Sequence, residues 1–333
     1  MLVVRGPYNV TFIRANANQP FISSHFPPGQ DGHSAFFFNL VPVYLQLPGG
    51  QDAVIVRSVN GTSWAHGTTS TTLNPDKLTL TRFVSKDGAA NMSAVQVNPI
   101  RADSVILEPT GPAEACGVQD PRISYNPADR TYYMTYCTYG PPLPKDNKTN
   151  PEGIKCGGAG VGLATSKTPQ VKDSWVRHGY NCNNGTQDNC GKSAAILIRE
   201  TGPHYMFWGI PTIAVSISHD LLHWTLLNSS WVVPDGAGAQ EMWVEAGSPP
   251  EMLSDGNYIM SYNIADGDLW WGIGYLILDK TDPTKILQRE SRMLWPTFAW
   301  ERADPDDPST SWEAYKNCIG AMNSLHALPG VCS

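Results

Sequence analysis

Four times along this 333-residue chain, two runs of alternating apolar residues close around a short turn. The first, "FFFNLVPVYLQLPGGQDAVIVRSV" (36–59), turns at Pro-Gly-Gly, and the second, "DPRISYNPADRTYYMTYCTY" (120–139), at Asn-Pro-Ala-Asp. The third, "KSAAILIRETGPHYMFWG" (192–209), turns at Glu-Thr-Gly, and the fourth, "AGSPPEMLSDGNYIMSYNI" (246–264), at Ser-Asp-Gly. Alternation that brackets turn formers marks a β-hairpin, because successive side chains of a strand face opposite sides. A second element follows several of these hairpins: "RFVSKDG" (82–88), "VGLATSKTPQVKDSW" (161–175) and "IAVSISHDLLHW" (213–224). Each is a small-residue strand ending at Ser and followed by a polar turn, often closed by Trp. Hairpin plus hairpin makes a four-stranded unit, and such units repeated radially are the blades of a β-propeller. The expectation is an all-β chain forming one domain over 1–333. Four units are complete. A fifth starts at "KNCIGAMNSLHALPG" (316–330) and reaches a turn as the sequence stops. That last unit is therefore expected to be incomplete at the C-terminus or completed by the N-terminal segment. A β-sandwich or a two-domain arrangement is the competing reading.

Composition agrees with many short strands and narrows the partners. Charged residues make up 16% of the chain, against 30 Gly, 27 Pro and 11 Trp, which disfavours a helical bundle. A net charge of −7 speaks against nucleic acid as the main partner. No apolar run approaches the roughly 18 residues of a membrane-spanning helix. The Trp and Tyr side chains serve either strand packing or the stacking of sugar rings.

The seven cysteines, at 116, 137, 156, 182, 190, 318 and 332, form no paired Cys-x-x-Cys, so a zinc ribbon is not expected. Cys182 and Cys190 bracket one polar loop and Cys137 and Cys156 another, which predicts two loop-closing disulfides and leaves three cysteines over. Six Asn-x-Ser/Thr sequons, at Asn9, Asn60, Asn91, Asn147, Asn184 and Asn228, point to a secreted glycoprotein or one of the secretory pathway. The opening "MLVVRGPYNVTF" holds no apolar signal core. A leader is thus expected to be already removed, or the sequence to be a piece of a longer chain.

Polar residues gather where the first strand of each unit begins: Asn39, Asp120 with Arg122, Lys192 with Ser193, Glu241 with Glu245, and Asn317. In a propeller these strands are innermost, so their entrances converge on one central pocket. Acids, cations and amides beside aromatic rings make a carbohydrate site. Two carboxylates across such a pocket are what glycoside cleavage needs, one to protonate the leaving oxygen and one to activate water. Asp120 and Glu245 are the best-placed pair, with Glu241 second to Glu245. The plainer reading has Asp-Pro opening a turn and Arg122 satisfying backbone carbonyls. "HDLLH" (219–223) offers two histidines but no third ligand, so no metal is expected. "CGGAGVGLA" (156–164) lacks the surrounding βαβ unit of a nucleotide site, and no Gly-x-Ser-x-Gly elbow is present. No cofactor is implied.

These residues bring a family into view. "GVQDPRI…YYMTYCTYG" resembles the Glu-Asp-Pro-Arg signature of glycoside hydrolase family 130, the β-mannoside phosphorylases and β-mannosidases. "FFFNLVPVYL…AVIVRSV" resembles its first-blade Asn and hairpin-closing Arg, here Asn39 and Arg57. "GSPPEML" and "GYLILDKTDPTKILQRESRMLWP" resemble later segments in the same order. The resemblance implies a five-bladed propeller with Asp120 as the acid, its proton passing through the mannose 3-hydroxyl. Gln119 stands where the signature has Glu. Where the family's phosphorylases grip phosphate with His-Arg and His, this chain has Phe207, Trp208 and Asn263, leaving Arg122 and Lys192. Phosphate in a partly desolvated pocket needs several charge-assisted hydrogen bonds, and the two glutamates suit activation of water. The expectation is an inverting, β-mannosidase-like glycoside hydrolase acting on a β-mannoside oligosaccharide or glycan. Asp120 is the acid and Glu245 or Glu241 the base. Asn39, Arg57, Arg122, Lys192, Ser193, Trp208 and Asn263 bind the substrate. The alternatives are a β-mannoside phosphorylase using inorganic phosphate, a non-catalytic glycan-binding propeller, and an arabinanase-like or invertase-like glycosidase.

Overall fold

The computed structural model describes residues 2–5, 8–12, 35–47, 51–60, 77–83, 105–140, 159–180, 191–235, 241–267, 270–296 and 317–318. Before residue 105 (Tyr8 and Ile55 excepted), and at 180, 270 and 317–318, only the backbone is described. Among these residues the regular structure is β, apart from one 3-10 turn at Pro112–Glu114. Strands β1 (Leu2–Arg5) and β2 (Asn9–Phe12) pair as a hairpin. Four sheets follow, each with successive strands side by side. The first holds β3 (Ala35–Leu47), β4 (Gln51–Asn60), β5 (Lys77–Phe83) and β6 (Val105–Leu107), and the second β7 (Val118–Asn126), β8 (Thr131–Tyr139), β9 (Ala159–Ser166) and β10 (Val176–Tyr180). The third holds β11 (Ala194–Leu197), β12 (His204–Trp208), β13 (Ile213–Ser218) and β14 (Thr225–Val232). In the fourth, β15 (Trp243–Ala246) and β16 (Glu251–Met252) share the edge of β17 (Tyr258–Ala265), followed by β18 (Trp270–Leu278) and β19 (Ile286–Leu294).

The four hairpins read from the sequence are all present, with one break. Pro249 and Pro250 lack the N–H groups a ladder needs, so the first strand of the fourth unit is interrupted between β15 and β16. The Ser and Trp of the second element lock its turn. Ser166 Oγ accepts from Thr168 N at 3.0 Å and Ser218 Oγ from Leu221 N at 2.9 Å. The indoles of Trp175 and Trp224 donate back to Pro169 O and Leu221 O, at 3.1 and 3.2 Å. "HDLLH" lies in this same turn, with Asp220 Oδ2 2.6 Å from His223 Nδ1. No cluster of three metal-ligating side chains occurs among the described residues.

Of the expected fifth unit, only Asn317–Cys318 (β20) lies within the described residues, and it adds in parallel to Trp270 and Trp271 of β18. The pairing of β19 with β18 ends at Ile273, so the backbone edge at Trp270–Trp271 is open to another strand. The N-terminal hairpin docks on the fourth sheet, where Tyr8 OH donates to Asp255 Oδ2 at 2.8 Å.

The core lies in layers between consecutive sheets. Ile55, Leu107, Val118, Met134 and Trp175 fill the first layer. Tyr133 and Leu163 pack with Ile196 and Met206 in the second, and Phe207 and Val215 with Val244, Tyr262 and Leu276 in the third. Full burial of such a side chain contributes roughly 1.5–3 kcal/mol. The first strands are stitched at their inner edges. Ser124 Oγ donates to Ile196 O at 2.6 Å, and Val244 N to Pro211 O at 3.0 Å. Arg122 reaches farther, from the second sheet to the fourth. Its guanidinium donates to Gly247 O and Ala246 O, both at 2.7 Å, and to Asp120 O at 3.0 Å. Its side chain, 1% exposed, is thus engaged with three backbone carbonyls. Gly247 must be glycine here, because a Cβ would strike the Ser261 carbonyl.

One buried acid makes stability depend on pH. Glu251 Oε1 is buried without a hydrogen-bond partner, and burial pushes the carboxyl from 4.5 up to about 8. The unfolded chain ionises this group first, so the protein loses stability as pH rises from roughly 4.5 towards 8. Glu251→Gln is expected to match wild type in thermal melts at pH 4 and to melt about 3 °C or more above it at pH 8.5. Equal melting temperatures at both pH values contradict this assignment.

Candidate active site

Asp120 begins the site by an uncommon backbone choice. It stands at φ 50°, left-handed, directly ahead of Pro121, where the ladder between β7 and β8 slips register between Gln119 and Arg122. Asp is among the few residues that tolerate this region, and proline lacks an N–H that the slip would orphan. The slip turns the carbonyl to Arg122 and buries the carboxylate, 1% exposed, with Oδ2 3.3 Å from Lys192 Nζ. Lys192 stands just before β11, its side chain 20% exposed. Burial alone would lower the ammonium's pKa, yet Asp120, Tyr139, Cys137 and Glu245 together hold it well above the usual lysine value. Lys192 therefore stays charged.

Ser193, also left-handed at φ 54°, donates its hydroxyl to Glu245 Oε1. Asn263 lies opposite Glu245 in the β15–β17 ladder, and its Nδ2 donates to Glu245 Oε2 at 3.1 Å. The structure thus brings together Asp120, Lys192, Ser193, Glu245 and Asn263, from the first strands of three sheets and the neighbouring β17. The arrangement places one ammonium beside two buried carboxylates.

Glu241 has partners of its own: it is held by Arg289 Nη2, Ser291 Oγ, Asp235 N at 2.7 Å and Tyr262 OH at 3.3 Å, a network tied to β19 that engages both of its oxygens. Trp208 donates its indole to Ser216 Oγ at 2.9 Å and lays its ring against Gly191. Asn39 and Arg57 lie on β3 and β4, and their side chains are outside the described residues.

Two neighbours escaped the sequence reading. The Tyr139 ring lies 5.7 Å from the Lys192 ammonium, and Cys137 Sγ accepts a hydrogen bond from Ser193 N at 3.1 Å. The predicted Cys137–Cys156 bridge is absent. Cys137 is a free thiol, 0% exposed, inside β8, with its sulfur turned to the backbone just before β11. Cys116 is disulfide-bonded, with its partner among the five cysteines other than Cys137. The predicted Cys182–Cys190 pair lies outside the described residues.

The profile of glycoside hydrolase family 130, described as β-1,4-mannooligosaccharide phosphorylase, matches residues 83–303 of this chain. The chain belongs to family 130. A 1,2-β-oligomannan phosphorylase from Thermoanaerobacter sp. is 27% identical to it over 222 residues, 66% of this chain. That match spans 64% of the relative, less than two thirds of its length. A solved β-1,2-mannobiose phosphorylase from Listeria innocua shares the fold at a TM-score of 0.62 and 14% identity, covering 90% of this chain and 85% of its own. A further structure has a TM-score of 0.59 and 19% identity, covering 80% and 74%. It is described with the statement that this family of mannoside phosphorylases contains glycoside hydrolases that target β-1,2 mannosidic linkages in Candida mannan. Asp120 lies within the matched residues.

Removing the ammonium from this family 130 site leaves two carboxylates in a buried space without a countercharge. Lys192→Met is expected to lower stability by about 3 kcal/mol at pH 7. Urea unfolding of both proteins at that pH measures the difference. A loss below about 1 kcal/mol at pH 7 contradicts the pairing.

Proposed function

We propose that the protein is a β-mannoside phosphorylase, cleaving short β-linked manno-oligosaccharides with inorganic phosphate. We further propose that its sheets are blades of a five-bladed propeller with the site on the central axis. The observation that carries the reaction is the Asp120–Lys192 pair, one acid beside one partly exposed cation. A phosphorylase that inverts the anomeric centre needs a single proton donor, because phosphate is its own nucleophile. The Asp120 carboxyl gives a proton to the leaving glycosidic oxygen as that bond breaks and recovers one from the attacking hydrogen phosphate, while Lys192 keeps its charge. A phosphate oxygen attacks the anomeric carbon from the opposite face, steered by Lys192, and forms the new C–O bond. Mannose 1-phosphate of inverted configuration leaves, together with the shortened oligosaccharide. Glu245, engaged on both oxygens, acts here as a sugar-binding acceptor. The phosphorylase names of the relatives agree with this reading.

Hydrolysis is the second reading, and one observation favours it. Of the two cations the sequence offered for phosphate, Arg122 is held by three carbonyls, which leaves Lys192. Glu245 beside it would repel a dianion and suit activation of water.

Incubation of β-1,2-mannobiose and β-1,4-mannobiose with and without phosphate separates the two. The proposal expects turnover that requires phosphate and yields mannose 1-phosphate, with Asp120→Asn about a thousandfold slower. Free mannose as the sole new product at equal rates without phosphate overturns it in favour of the hydrolase. No turnover of either substrate overturns both.

A further inference from the structure

The turn that carries Lys192 and Ser193 is gripped from two sides. On one side lies its own sheet. Gly191 is left-handed at φ 72°, with the Trp208 ring so close to its Cα that a side chain there would collide with it. Gly209 N donates to Lys192 O at 2.7 Å and to Ser193 O at 3.3 Å. On the other side lies β8 of the preceding sheet. Its alternate residues Thr135, Cys137 and Tyr139 share one face, as every second residue of a strand does. They meet three consecutive residues of the turn in order. Thr135 Oγ1 donates to Ala194 O, Ser193 N donates to Cys137 Sγ at 3.1 Å, and the Tyr139 ring lies 5.7 Å from the Lys192 ammonium.

The middle contact has the greatest consequence. Ser193 holds a left-handed backbone that a non-glycine residue adopts at a cost, so its amide needs a fixed partner to stay there. A buried amide without a partner is costly, and the sulfur supplies the acceptor. From this residue the hydroxyl reaches Glu245, and from its neighbour the ammonium reaches Asp120. We infer that Cys137 is a positioning residue: its sulfur holds the Ser193 amide and so fixes the turn that aims Lys192 at Asp120 and Ser193 at Glu245. Burial, then the charge of Asp120, push the thiol up to about 11. It therefore remains neutral and adds no third anion to compete for Lys192. The same burial withholds it from oxidation, which follows thiolate character and access.

The kinetic part of this inference rests on the proposed function, whereas its structural part does not. Two variants separate the sulfur's role as acceptor from its role as filler. Cys137→Val keeps the bulk and removes the acceptor, and Cys137→Ser keeps an acceptor. Leu278→Ala, in the core of the fourth sheet, controls for simple loss of stability. Hydrogen exchange of the Ser193 amide, measured without substrate, is expected to speed up about tenfold in Cys137→Val and to stay within about threefold of wild type in Cys137→Ser and Leu278→Ala. With β-1,2-mannobiose and phosphate, Cys137→Val should lose about tenfold in kcat, with its pH profile displaced, while Cys137→Ser recovers most of the rate. Exchange at Ser193 unchanged in a folded Cys137→Val overturns the inference. So does equal behaviour of the Val and Ser variants. If wild type turns over no mannoside, the functional reading fails, and the exchange result alone still decides the role of Cys137.

Discussion

A single buried guanidinium sets the geometry on which the rest depends. Arg122 starts from β7 and donates to the carbonyls of Ala246 and Gly247, at the far end of β15, and to that of Asp120. A cation out of water is tolerated only with its donors directed at good acceptors, and three backbone carbonyls provide them. The anchoring points are adjacent to the chemistry. Asp120 is itself one anchor, and Glu245 is the residue before another. The backbone beside each of the two carboxylates is therefore tied to one planar guanidinium. Lysine at this position would keep the charge and lose the forked geometry.

Around that bolt, each acid acquires a different task from its surroundings. Asp120 is buried beside Lys192, whose charge is secured by four electronegative neighbours. Glu245 accepts from Ser193 on one oxygen and from Asn263 on the other. Identical functional groups thus meet different surroundings, which under the proposed function suit one to proton transfer and the other to holding hydroxyl groups. The turn from Gly191 to Ser193 links them, which is why both faces of that turn are so closely supported.

Much of the fold was legible because its signals are local. Alternation, turn residues and the Ser and Trp of the recurring element act within a dozen residues, and in the second and third sheets the Ser and Trp stand where the sequence placed them. The plainer sequence reading of Arg122, as a group that satisfies carbonyls, matches the structure. The different surroundings of Glu241 and Glu245 depend on Arg289, a partner 48 residues from Glu241 on β19. No local pattern announces such a contact. Cys137 was misjudged although a usable signal existed: it lies within the run "YYMTYCTY", in step with Thr135 and Tyr139, and not in the loop beyond. Parity with its strand mates fixed its direction better than proximity to a loop did. The parallel pairing of Asn317–Cys318 uses an open edge of β18 that only the assembled sheet reveals.

The central claim is that Asp120, Lys192 and Glu245 surround a mannose ring. A crystal structure of the Asp120→Asn variant soaked with β-1,2-mannobiose tests it most directly. The account predicts the non-reducing mannose between residue 120 and Glu245. The new amide should lie within about 3 Å of a sugar hydroxyl or the glycosidic oxygen, and Glu245 should accept from another hydroxyl. Clear density for the disaccharide elsewhere on the protein, with this site holding only water, would contradict it.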